Sequence, residues 1–351
     1  MVKVFLVFGV IALILLTLTS CSKKLLASKT NQNKNNTVSN QSTNFSYDTS
    51  DVFKGSVLKN IVFNSKAVNY KGDELQLALD IYKPPHSEGK KFPTVVLVHG
   101  GSFIGGDKNN LSSTCSKLAN NGYVAVSINY RLGWGFISRA ASNCNDSVHL
   151  KQAMYRAAQD THAALRFIAK HANEYNINKN WIFLGGQSAG AITALAAAYL
   201  KDKDINAFFS DDYAQKLGPI DKDENDTAAL YTLKGVISMW GAFLNPELIT
   251  NETALPTIFF QGQLDKAVPF DSRAFVPCDN ATFVYGTLPL YNRLKALNET
   301  AIAHVDPKGG HGVFAENFRV ENILCFLNDV QQGIKKQVYL TGIQYSCGKN
   351  N

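Results

Sequence analysis

From Pro93 onward, short continuous apolar runs alternate with stretches of helical periodicity. The runs are "FPTVVLVHGG", "YVAVSINYR", "WIFLGG", "LKGVISMWG", "PTIFFQG" and "AIAHVDP". Such runs suit strands buried on both faces, because alternation of apolar and polar residues marks a half-exposed sheet instead. Between them lie "LSSTCSKLANNG", closing at Gly122, and a segment from Asp146 to Tyr175 in which Ala157, Ala164, Leu165 and Ile168 share one face. "SAGAITALAAAYL", "TLPLYNRLKALN" and "VFAENFRVENILCFLNDVQQ" complete the helices. Strand and helix in alternation call for an α/β layer fold: a mostly parallel central sheet with helices on both faces. "SVLKNIVFN" and "LQLALDIYKPP" have no helix between them, so they predict an antiparallel N-terminal edge. The polar, Asp-rich interval 201–230 reads as an insertion over the carboxyl edge of the sheet. We therefore expect one domain over 53–335 and a C-terminal tail over 336–351.

The N-terminus is of another kind. "MVKVFLVFGVIALILLTLTSC" has one lysine and then an apolar run ending at Cys21. Leu18-Thr19-Ser20-Cys21 resembles the bacterial lipobox, in which the cysteine is lipidated before cleavage. The expectation is a lipoprotein signal peptide over 1–20, excluded from the fold. Residues 21–52 are dominated by Asn, Ser, Thr, Gln and Lys, which offer little apolar surface to offset ordering entropy. They read as a flexible tether. Ser22, not Asp, follows the cysteine; by the sorting rule this resemblance implies export to the cell envelope, anchored in the outer membrane.

The formal net charge is +7, and no basic patch interleaves with aromatics, which argues against a nucleic-acid partner. Beyond Cys21 remain Cys115, Cys144, Cys278, Cys325 and Cys347. An oxidising compartment favours disulfides. The odd count leaves at least one thiol unpaired within the chain. Cys115 with Cys144 is the pairing expected from their nearness to the first helix, although sequence does not fix connectivity. No CxxC or His–Cys spacing suggests a metal site.

The chemistry centres on "GGQSAG". Ser188 falls where a strand ends and a helix begins, between Gly186 and Gly190. That elbow lifts a serine Oγ above the sheet, and its glycines allow close backbone approach. A nucleophilic serine needs a base, and the base an orienting carboxylate. His311, in the glycine-rich "PKGGHGVF" after the last strand, is the candidate base. Asp265 in "GQLDKAVPF" is the candidate carboxylate, with Asp271 its rival. Tetrahedral charge needs backbone donors, and "HGGSF" after the third strand offers Gly101 or Ser102, together with Ala189 after the elbow. Phe103 and Trp240 are candidate substrate contacts, with Trp134 and Phe136 as further pocket walls; ordinary packing explains each equally well.

Over Val57–Asn328 the chain resembles the α/β-hydrolase carboxylesterases of the hormone-sensitive-lipase-like and acetyl-xylan or feruloyl esterase groups. The residues carrying this are "LDIYKP", "VVLVHGGSF", "GYVAVSINYRL", "QDTHAALRFI", "GGQSAGA", "GQLDKAVPF" and "GGHG". The order Ser188, Asp265, His311 is the α/β-hydrolase order. The resemblance implies hydrolysis of short-chain acyl or carbohydrate-linked esters without a cofactor. Two alternatives share the fold: a prolyl-oligopeptidase-type peptidase and a non-catalytic binding protein.

Overall fold

The computed structural model describes residues 46–133, 145–208, 216–221, 230–274 and 283–347. The expected signal peptide over 1–20, Cys21, Trp134, Phe136, Cys144 and Cys278 lie outside them. The first three strands are β1 (Ser56–Val68), β2 (Glu74–Lys83) and β3 (Phe92–Val98). Then follow α1 (Ser112–Asn120), β4 (Val124–Ile128), α2 (Asn145–Lys170), β5 (Ile177–Gln187), α3 (Ala189–Tyr199) and α4 (Ile205–Phe208). After these come β6 (Leu233–Met239), β7 (Thr257–Gly262), β8 (Ser272–Ala274), β9 (Phe283–Tyr285) and α5 (Thr287–Ala296). The chain closes with β10 (Ala301–Asp306), α6 (Glu316–Gln331) and β11 (Gln337–Thr341).

Nine strands form one sheet in the order β1-β2-β4-β3-β5-β6-β7-β10-β11. β1 runs antiparallel to β2, and β2 antiparallel to β4; every other pair in the sheet is parallel. The expected antiparallel edge is therefore present. The strand period of two divides the core. Val96 and Val98 pack with α2, α3 and α5 on one face, while Val95 and Leu97 pack with α1 and α6 on the other. Each such fully buried side chain contributes about 1.5–3 kcal/mol. Charged ties hold the layers. The Arg131 side chain and backbone N–H both donate to buried Asp160 on α2. Glu316 accepts from Ser113, Thr114 and Lys117, joining α6 to α1.

Three expectations are corrected. Residues 337–341 are not tail: they form β11, paired in parallel with β10, because Val338 and Leu340 extend the alternation needed to cover that edge. Asp48 and Val52, assigned to the tether, are bonded to the end of α1 through Asn121 and Asn120. Cys115 is a buried free thiol, so it does not pair with Cys144. The disulfide among the described residues joins Cys325 on α6 to Cys347, securing the segment after β11.

His304 on β10 is fully buried among Phe260, Phe314 and Phe318, its ring stacked 5.1 Å from that of Phe260. Burial pushes its pKa down to about 4, and the Gln344 backbone offsets this only partly. In the unfolded chain the imidazole titrates near about 6.5. The folded pKa is the lower one, so stability is intact above pH ~6.5 and declines as pH falls toward 4. At pH 5 the expected loss is about 2 kcal/mol. Thermal melts at pH 7 and pH 5 should show this fall. His304→Phe should lose less on acidification, and an equal loss in both proteins would exclude His304 as the cause.

Candidate active site

β5 ends and α3 begins at Ser188, which adopts φ 55° and ψ −123°. A left-handed serine is strained, and the neighbouring packing holds it there. Its N–H donates to Met239 O at 2.9 Å. The two glycines are required by contact. A Cβ on Gly190 would lie 2.0 Å from Val98 O, and one on Gly186 2.5 Å from the Gly190 backbone. The elbow thus rests directly on the end of β3. Ser188 sits at the N-cap position of α3 without a side-chain cap bond, so its Oγ is directed elsewhere. It meets His311 Nε2 at 2.9 Å.

His311 Nδ1 lies 2.8 Å from Asp265 Oδ2. The carboxylate follows β7 and is well held. Oδ1 accepts from Ala267 N–H at 2.8 Å and Val268 N–H at 3.0 Å, and Oδ2 also accepts from Gln261 Nε2 at 2.9 Å. Burial raises the Asp265 pKa, but bonds from His311, Val268 and Ala267 outweigh it, leaving the group below its ordinary value and charged. Asp271, the rival, is exposed at the start of the β8–β9 hairpin, where its carbonyl accepts from Gly286. The structure therefore brings Ser188, His311 and Asp265 into one line.

The "HGGSF" loop lies beside this line. A Cβ on Gly100 would touch Gln187 O at 2.9 Å and the Ser188 Cβ at 3.2 Å. Gly101, Ser102 and Phe103 have φ of 117°, 55° and 61°. Three successive left-handed residues curl the chain so that Ile104 and Gly105 N–H both return to Gly101 O. Successive N–H groups in such a curl converge on one side, as an anion site requires. Ala189 opens α3, so its N–H has no carbonyl one turn back and adds the helix N-terminus. His99 is buried, stacked on Tyr130, with Nδ1 at 2.7 Å from Gly100 O. It supports the loop.

The proposed pocket walls divide. Phe103 is 1% exposed and meets Tyr130 edge-on, so its ring faces the core; Ile104, 50% exposed, is what this loop presents to solvent. Trp240, 6% exposed, is T-shaped to His311 with ring centres 6.2 Å apart. A cavity of about 680 Å³ between β1, α2 and residues 216–221 is lined by Arg131, Arg156, Arg166 and Asp160, and by none of Ser188, Asp265 and His311. Among the described residues, Cys325, Asp329 and Cys347 cluster as metal ligands would, but the sulfurs are joined and Asp329 pairs with Lys336. Gln261, which donates to Asp265, and the exposed Ile104 are not among the residues the sequence singled out. A lone polar residue at the end of the apolar "PTIFFQ" run was the signal for Gln261.

The parallel sheet with its antiparallel edge, the strand–serine–helix elbow and the histidine loop after β10 define an α/β-hydrolase. The chain belongs to the BD-FAE family, an α/β-hydrolase esterase family whose model matches residues 79–276, more than half of its length. The chain is similar to gut esterase 1 of Caenorhabditis briggsae, 32% identical over 126 residues, which cover 35% of this chain and 21% of that protein. An acetyl esterase of Salmonella paratyphi B is 33% identical over 115 residues, covering 32% and 30%. The chain thus spans less than a third of either relative's length. Among solved structures, Thermogutta terrifontis esterase 2 phosphorylated by paraoxon aligns with TM-score 0.55 at 18% identity, over 80% of this chain and 95% of that one. At that identity the likeness speaks for the fold.

Proposed function

We propose that this protein is a serine carboxylic-ester hydrolase working through an acyl-enzyme. Ser188 is the nucleophile, His311 the general base, and Asp265 the group that fixes the imidazole. The Asp265–His311–Ser188 hydrogen-bond line, at 2.8 and 2.9 Å, carries this reading. In the acylation step His311 Nε2 takes the Ser188 proton as Oγ bonds to the ester carbonyl carbon. The charge on the carbonyl oxygen is held by Ala189 N–H with that of Gly101 or Ser102. The imidazolium then protonates the departing alcohol. Water, deprotonated by the same imidazole, releases the acid and restores the serine. No electron transfer enters, so the chemistry asks for no redox group.

Short-chain acyl or carbohydrate-linked esters are the proposed substrates. The acetyl esterase relative supports a small acyl group through its name. A panel of acetyl, butyryl and longer p-nitrophenyl esters, acetylated xylan and methyl ferulate tests this. Preference for long acyl chains would overturn the short-chain reading, and faster cleavage of a peptidyl amide would favour a prolyl-oligopeptidase-type peptidase. A fluorophosphonate probe should label the folded protein at Ser188; no labelling would favour a non-catalytic binding role.

The proposed location is the bacterial cell envelope, anchored by acyl chains on Cys21, on the evidence of the sequence alone. In an outer-membrane fraction, palmitate incorporation should be seen for the full chain and lost in Cys21→Ser. Incorporation that persists in the variant would exclude Cys21.

A further inference from the structure

His311 stands in a segment between β10 and α6 that forms neither strand nor helix. Three glycines flank it, and Gly312 and Phe314 both have left-handed φ, 79° and 64°. Such a backbone has many alternatives, so its one conformation must be imposed from outside. The upstream half is held by main chain: Leu264 N–H donates to Gly309 O at 2.9 Å, and Gly309 N–H to Asp306 O at 3.2 Å. The downstream half is held differently. Arg319, one turn into α6, reaches back with Nη1 to Phe314 O and, at 3.4 Å, to Val313 O. Its guanidinium carbon stands 5.1 Å from the centre of the Trp240 ring. Trp240 is itself left-handed at φ 44°, and its N–H donates to Phe260 O at the end of β7. Its ring then meets His311 edge-to-face.

We infer that Arg319 is a positioning residue for His311. It binds the carbonyls just after the imidazole and, through Trp240, the ring that packs against it. Arg319 thus bears on His311 by two routes, the carbonyls of Val313 and Phe314 and the Trp240 ring. Arginine suits the task, since its planar fork donates in-plane while its face lies on an aromatic ring. The inference rests on the reading of His311 as the base. A base displaced by about 1 Å loses on the order of 100-fold in rate, because proton transfer requires alignment.

The test compares Arg319→Lys, Arg319→Met and Arg319→Ala in the full chain on p-nitrophenyl acetate, with kcat and KM separated and thermal melts alongside. Lysine keeps donors for the carbonyls; methionine keeps a stem for the Trp240 ring but no donor. The expected order of kcat is wild type, Lys, then Met and Ala, the last two lower by about 10–100-fold with KM within twofold. A role in packing alone would place Met above Lys, and that order overturns the inference. So does a kcat in Arg319→Ala within threefold of wild type. Should Arg319→Ala not fold, the Lys and Met pair still decides. Fluorophosphonate labelling separates the two levels of failure: a wild type that does not label sinks the triad reading, and this inference with it. A wild type that labels no faster than Arg319→Met sinks this inference alone.

Discussion

Ser188→Ala is expected to lower kcat on p-nitrophenyl acetate by about 10⁶-fold, equivalent to about 8 kcal/mol of transition-state stabilisation. The variant removes one oxygen and leaves the elbow. Its backbone bond from residue 188 N–H to Met239 O persists, as do the glycine contacts on β3. Little stability depends on Oγ, which makes no cap bond to α3. The melting temperature should therefore stay within a few degrees of wild type, about the shift that 1 kcal/mol produces. The residual rate reflects binding and the oxyanion donors. A kcat within tenfold of wild type in the purified variant would remove Ser188 from the reaction, whatever the hydrogen-bond geometry.

Asp265→Asn should cost about 10⁴-fold in kcat with KM little changed. The reason lies in the donors around the carboxylate. Oδ1 accepts two backbone N–H groups, from Ala267 and Val268, and Oδ2 accepts from His311 and Gln261. An asparagine keeps the backbone pair only by placing its NH₂ toward His311. Nδ1 must then accept, which puts the imidazole proton on Nε2, where it faces the Ser188 hydroxyl. That tautomer cannot take the serine proton. The reversed amide restores the His311 bond at the loss of two backbone bonds, a cost of about 1–3 kcal/mol for each buried donor left unsatisfied. Both routes impair turnover without touching the substrate. A loss below tenfold would show that Asp265 does not set the tautomer.

Much of this is legible in the sequence. The apolar runs at β3, β5, β6 and β7 have no alternation, and only burial on both faces accommodates that. Gly186, Ser188 and Gly190 identify an elbow because the whole pattern falls within five residues, while the contact that excludes a Cβ at Gly190 comes from Val98 O on β3. What the sequence leaves open is set by contacts distant along the chain and, in one loop, by backbone conformation. β11 is not legible as a strand, because its five residues become one only when β10 offers an edge. Cys115 sits in the α1 core, out of reach of any rule of sequence proximity, whereas Cys347 is carried to Cys325 by the chain's return past β11. Phe103 and Ile104 are neighbours in sequence, and three left-handed residues decide which one turns inward.

Sequence by itself determined the layer architecture, the antiparallel edge, the serine elbow and the order of the three candidate residues. These depend on periodicity and on short-range sterics, which are written in adjacent letters. Tertiary structure decided the choice of Asp265 over the exposed Asp271, the support of that carboxylate by Gln261, and the clamp of the histidine loop by Arg319. Those are contacts between strand ends and helices distant along the chain. Their distances are set by how the sheet twists and the layers pack, quantities that no local pattern encodes.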